Sequence, residues 1–254
     1  MYIVRMQEPH TNIHSNINQQ HHEDNQQPHE PHHPISPTIK FSFNITYILL
    51  LTTATITFIE AIRTKSPIVR HILNLETCVS IVAGYFYSIF TAKITEYEKT
   101  DTQINWSEIT DTRYIDWSIT TPIMLFALCI VLANEINIAV HLPTILIIVA
   151  LNYAMLYAGY LGETNGLERN TANILGFLPF LGMFGIIYWK YVSPKYNFAN
   201  RALFYFYLIV WSLYGIVYLF DEETKNIAMN MLDLLAKCII GLGLWVYYIH
   251  IIKL

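Results

Sequence analysis

The sequence predicts an all-α membrane protein, a bundle of seven transmembrane helices, on three observations. Of its 254 residues, 54% are hydrophobic and only 13% charged, about half of the roughly 25% that a water-facing domain carries. Seven apolar runs follow one another from Phe43 onward, each near the roughly 20 residues that cross a hydrocarbon core about 30 Å thick. The loops after the first and fifth runs are basic and those after the second, fourth and sixth acidic, which gives the bundle two distinguishable sides.

The elements follow in order. Residues 1–40 include HTNIHSNINQQHHEDNQQPHEPHHPISP, rich in His, Gln, Asn and Pro and almost without apolar side chains. This stretch is predicted to be a disordered extracellular tail, and it lacks the apolar centre of a signal peptide. Seven of the ten histidines lie in it, but without regular spacing, so a solvated tail is favoured over a metal-binding one. The membrane domain is 41–254, with spans predicted over 43–63, 70–94, 111–134, 138–161, 171–192, 201–220 and 226–252. Except after the second span the connections are short, so successive helices should pack antiparallel.

Arg63, Lys65 and Arg70 follow the first span, Lys190, Lys195 and Arg201 follow the fifth, and Lys253 lies after the seventh. The alternate loops carry Glu96, Glu98, Asp101 and Glu108, then Glu163 and Glu168, then Asp221, Glu222 and Glu223. The positive-inside rule puts the basic loops and the C-terminus in the cytoplasm and the N-terminus outside. A net charge of -4, with no basic cluster interleaved with aromatics, argues against nucleic-acid binding. Cys78, Cys129 and Cys238 sit in apolar runs at spacings that match no metal motif, and read as small core residues.

A few charges remain deep within the spans: Asp116 in the third, Asp233 and Lys237 in the seventh, with Arg113 near the outer end of the third. Each is costly unless paired, which makes it a functional candidate; the competing reading is a structural ion pair locking two helices. Asp233 and Lys237 are four apart and share a helix face, and Arg113, Asp116 and Thr120 form a second polar stripe. If the stripes face each other, one amine lies between two carboxylates. A buried amine that loses its proton can condense with an aldehyde, and the two carboxylates are placed to balance the resulting cation. Tyr114 and Trp117 flank Asp116, while Trp211, Tyr214 and Tyr218 share a face of the sixth span. Aromatic stripes of this kind are more often core; at the depth of Lys237 they could sandwich a long flat ligand.

These residues resemble a known family. RYIDWSITTP, Arg113 to Pro122, is similar to the third helix of microbial (type 1) rhodopsins, and LDLLAK, Leu232 to Lys237, to their seventh. WSLYGIVY resembles the sixth-helix motif, with Gly215 where many members have proline. TILIIVALNYAMLYAGYLG fits the fourth helix, with Asn152 where many have aspartate. NLETCVSIVAGYFY in the second span further resembles the rhodopsins of giant viruses of algae and protists.

The resemblance implies all-trans retinal held by Lys237 as a protonated Schiff base. Asp116 would be counter-ion and first proton acceptor, Asp233 the second counter-ion, Thr120 a hydrogen-bond partner of the acceptor, and Arg113 an organiser of charge. Tyr85, Tyr114, Trp117, Thr121, Met155, Gly159, Phe180, Met183, Trp211, Tyr214, Tyr218 and Ala236 would form the retinal pocket. It also implies a multi-pass protein of the lipid bilayer, in a host-cell membrane if viral, and a homo-oligomer.

Outward proton pumps of the family carry a donor carboxylate in the third helix where this chain has Ala127. Glu60, Asn74, Glu76, Asn152, Asn226 and Asn230 could instead line an ion path, whose carboxylates favour cations. Glu60 has a simpler reading as a surface partner of Arg63 or Arg70. Giant-virus relatives include light-gated cation channels, so a cation channel is favoured over an outward proton pump. A sensory rhodopsin and a retinal-free structural bundle are the remaining alternatives. An anion pump is disfavoured because Asp116 is retained. The chain reads as a transporter of cations or protons rather than an enzyme, with no appended kinase or cyclase.

Overall fold

The computed structural model describes residues 34–251. Seven helices form the bundle: α1 (Pro37–Arg63), α2 (Pro67–Lys99), α3 (Trp106–Ile136), α4 (Leu142–Glu163), α5 (Arg169–Ile187), α6 (Phe198–Val217) and α7, which begins as Glu222–Asp233. A π-helical turn, Tyr188–Val192, extends α5. α7 continues through a π-helical stretch Leu234–Ile239, an α-helical turn Ile240–Trp245 and a second π-helical stretch Val246–Ile251. Each helix packs on the next and α7 closes back on α1, giving a ring in up-and-down order. One end carries the basic loops and the other the acidic ones, and these ends serve as landmarks below.

The helices are long and apolar enough to cross a membrane in all seven cases, and the chain is an integral, multi-pass membrane protein. Its outer surface agrees: Phe41, Ile48, Phe58, Leu142, Leu146, Ile174, Leu178 and Ile209 are exposed, an arrangement that suits lipid and would be unfavourable in water. Polar groups are turned inward instead. Many hydroxyls on the spans bond the carbonyl one turn back, as Thr46 does to Ser42 and Thr91 to Tyr87, so they cost little in hydrocarbon.

The helix ends differ from hydropathy limits for identifiable reasons. Residues 1–33 of the predicted tail lie outside the described residues, but Pro37–Lys40 already form the first turn of α1, where proline's fixed φ suits a helix start. The loop after the second span is short, because α2 and α3 extend past their apolar cores. Lys93 and Tyr97 bind Glu108, and Lys40 binds Glu98, so amphipathic turns outside the hydrocarbon stay helical. Residues 138–141 are not helical: Asn137 at φ 58° ends α3 in the left-handed region that asparagine tolerates. α6 likewise stops at Val217, short of the predicted residue 220.

Glu168 and Asp221 cap α5 and α7 by accepting from Thr171 and Thr224, hydrogen bonds that hold both carboxyls below their ordinary range. At Gly162 a β-carbon would overlap the Tyr218 hydroxyl and come within 2.5 Å of Ala172 Cβ. Gly162→Ala should therefore cost about 1–3 kcal/mol through overpacking, seen as a lower thermal midpoint in detergent by circular dichroism. An unchanged midpoint would show that α4 and α5 can move apart without penalty.

Candidate functional site

Two helices, α3 and α7, bring the buried charges together. Lys237 Nζ donates to Asp116 Oδ2 at 2.9 Å and to Asp233 Oδ2 at 3.3 Å, with all three side chains at most 2% exposed. The i,i+4 spacing sets the second contact, and the facing stripe of α3 sets the first. Lys237 lies inside the π-helical stretch of α7, a widened turn of the kind that recurs at functional sites.

The two carboxylates are treated differently. Asp233 Oδ1 accepts from the Tyr214 hydroxyl at 2.6 Å, and Oδ2 lies 2.8 Å from the Tyr87 hydroxyl and 3.8 Å from Arg113 Nη1. Asp116 receives only Lys237, and its Oδ1 meets no partner. Thr120 donates to the Asp116 backbone carbonyl at 2.9 Å, not to the carboxylate; back-bonding within α3 outcompetes the expected side-chain bond.

Arg113 is buried rather than near the surface. Its Nη2 donates to Asn226 Oδ1 at 3.0 Å and Asn230 Oδ1 at 2.9 Å, and its guanidinium lies 5.1 Å from the Phe90 ring centre. Asn230 Nδ2 in turn donates to Ser42. Asn226 and Asn230 therefore hold the arginine, on the acidic side of Asp233. Asn152 sits behind the site, donating to Thr121 Oγ1 at 2.8 Å, and so ties α4 to α3 instead of facing an ion path.

An apolar slot opens beside Lys237, with about 810 Å³ free of protein atoms when its mouth is included. Tyr114, Trp117, Thr121, Met155, Gly159, Phe180, Trp211, Tyr214, Tyr218 and Ala236 all line it, as the sequence predicts. Trp117 and Tyr214 meet edge to face, their centroids 5.5 Å apart. Pro122 leaves the Ser118 carbonyl without its helical donor, and Tyr153 supplies one at 3.0 Å.

Several expectations need correction. Tyr85 is 63% exposed on the outer face of α2, and the tyrosine that reaches the site is Tyr87, about half a helical turn away. Met183 is buried in the core but does not line the slot. Asn74 is exposed on the outside of α2. Glu60 pairs with Arg63 at 2.9 Å, which is the simpler of its two readings. Glu76 is buried as the sequence suggests.

Sequence reasoning found Phe180 of α5 but missed the rest of that wall, including Phe177, whose ring would lie 2.6 Å from a β-carbon at Gly215. It also missed Lys225, 2% exposed, which binds Glu163 and Glu222 while Arg169 binds the same two acids. The i,i+3 spacing of Glu222 and Lys225 was the available signal.

The geometry has counterparts. The family profile of bacteriorhodopsin-like proteins matches residues 37–251. The crystal structure of the viral rhodopsin OLPVRII is 43% identical, with a TM-score of 0.77 over 84% of this chain and 98% of that one. The green-light absorbing proteorhodopsin of Gamma-proteobacterium EBAC31A08 is 27% identical over 159 residues, 55% of this chain and 63% of that protein. The chain thus spans less than two thirds of that relative's length. The proton pumping rhodopsin AR2 of Acetabularia acetabulum shares the fold at 20% identity and a TM-score of 0.68, over 87% of this chain and 98% of that one. With its buried lysine between two aspartates, its aromatic slot and these matches, the chain belongs to the bacteriorhodopsin-like family of microbial rhodopsins and resembles the viral rhodopsins within it.

Proposed function

We propose that the protein is a retinal-binding photoreceptor that transports protons outward in the light, with all-trans retinal attached at Lys237 and Asp116 as proton acceptor. Family membership implies a retinal chromophore, and the residues present fit one. A primary amine stands at the end of an apolar slot walled by flat rings, next to a buried Asp116 oxygen that lacks a partner. Bound there, retinal supplies a light-driven isomerisation and a cationic nitrogen with one transferable proton.

The chain's own groups determine where that proton goes. Both oxygens of Asp233 already accept hydrogen bonds from Tyr214, Tyr87 and Lys237, so its anion is well stabilised. Asp116 accepts only from Lys237, so protonation at Asp116 Oδ1 disrupts least. That asymmetry is the observation that carries the proposal. Arg113, Asn226, Asn230 and Tyr87 then form a connected polar chain toward the acidic end, taken as the outside, through which release can proceed. Trp117, Trp211 and Tyr214 position the ligand and keep water from the nitrogen.

A light-gated cation channel is the second reading, favoured by the polar lining between α1, α2 and α7. It loses support because Glu60 is paired, Asn74 faces outward and Asn152 is bonded to Thr121. Proton transfer needs no continuous pore. Voltage clamp of retinal-supplied cells separates the two: an outward photocurrent that does not reverse supports pumping. Reversal at a cation equilibrium potential would refute the proposal in favour of a channel.

A further inference from the structure

α7 supplies Lys237 at one end of the slot, while α4 and α5, packed on each other across the ring of helices, supply the wall at the other. A hydrocarbon ring would be matched there by hydrocarbon side chains alone. Asn173 stands in that wall instead, half-buried on the second turn of α5. Its Oδ1 would lie 3.4 Å from a β-carbon at Gly215, so the carbonyl faces the bare backbone of α6. Phe177, one turn further along α5, covers the same glycine.

Asn173 is the one side-chain amide among the described residues that line the slot. Other polar groups of the lining are bonded within the protein. Thr121 donates to the Trp117 carbonyl, Tyr214 to Asp233 and Tyr218 to the Gly159 carbonyl. The Asn173 amide makes no hydrogen bond among the described residues. An amide left unbonded beside apolar surface forfeits free energy, and a leucine would fill the same wall without that loss. With one acceptor and two donors, the amide can bond a hydroxyl whichever way its proton points.

We infer that Asn173 makes the far end of the slot a subsite for an oxygenated ring. The ligand class it favours is a retinal bearing a hydroxyl at C3, the ring carbon opposite the polyene chain, over the unsubstituted aldehyde. Such a ligand is fixed twice, by Lys237 at its aldehyde end and by a hydrogen bond to Asn173 at its ring. The hydroxyl satisfies the amide that a plain hydrocarbon ring leaves unbonded. This rests on the retinal-binding reading above.

Competition between two retinals tests it. Full-length protein made without retinoid is offered an equimolar mixture of all-trans retinal and all-trans 3-hydroxyretinal, in excess, and the bound chromophores are released as oximes and separated by chromatography. Wild type should hold more of the hydroxylated ligand. The ratio should fall about three- to tenfold in Asn173→Leu, the span of one neutral hydrogen bond. Infrared spectra of the two wild-type pigments, with and without isotopically labelled asparagine, should show an asparagine carbonyl band at lower frequency with the hydroxylated ligand. Equal uptake by wild type, or a preference that Asn173→Leu keeps, overturns the subsite and leaves retinal binding intact. Pigment with neither ligand overturns the retinal reading itself. If Asn173→Leu does not fold, wild type decides: asparagine bands identical in the two pigments overturn the subsite.

Discussion

Lys237→Arg is expected to give a folded protein that stays colourless when supplied with retinal. Among the described residues that line the slot Lys237 alone carries an amine, and a guanidinium keeps the positive charge but does not form an imine with an aldehyde. Arginine is the better variant than alanine here. Lys237→Ala would leave Asp116 and Asp233 facing each other without the cation that both contact, and breaking such a buried arrangement costs about 3–5 kcal/mol. A colourless Lys237→Ala could then be merely misfolded. Visible absorbance that persists in folded Lys237→Arg would rule out this attachment site.

Asp116→Asn is expected to move the absorption band to longer wavelength and to cut proton transport by about a hundredfold or more. Removing the negative charge at 2.9 Å from the nitrogen destabilises the ground-state cation more than the excited state, where positive charge moves away. The amide cannot take the proton. Asp233→Asn should behave differently, because that carboxylate anchors Tyr214, Tyr87 and, at 3.8 Å, Arg113. Its loss should lower pigment yield and thermal stability more than Asp116→Asn does. An unshifted band in Asp116→Asn, with a large shift in Asp233→Asn, would exchange the two roles.

Much of this site was legible in the sequence because a charge inside an apolar run is expensive and therefore conspicuous. Lys237, Asp233 and Asp116 stand out for that reason, and the two polar stripes that carry them follow from helix period alone; that the stripes face each other comes from the fold. Helix phase was harder to read. In YFY, Tyr85 and Tyr87 are two residues apart and point to nearly opposite sides, so one faces out while the other reaches Asp233. The same holds for Asn74 and Glu76. Spans that are apolar on both faces give no stripe by which to choose. The Lys225 network was hidden because Glu163 is 62 residues distant and appeared only as a loop acid. Bond choice at Thr120 was equally invisible, since a hydroxyl within reach of both a carboxylate and its own helix carbonyl leaves no trace in spacing.

The buried quartet of Lys237, Arg113, Asp116 and Asp233 sums to zero charge, and this has an electrical consequence. A neutral group feels a membrane potential only through its internal dipole. Moving one proton over the 2.9 Å between Lys237 and Asp116 covers at most about a tenth of a hydrocarbon core about 30 Å thick, so it couples by only about 0.2 kcal/mol per 100 mV. A cell's resting voltage can hardly oppose that first displacement. Under the proposed outward transport the field weighs instead on the longer legs, from Asp116 outward past Arg113 and from the basic surface inward to Lys237, so those legs would set the voltage at which transport stalls.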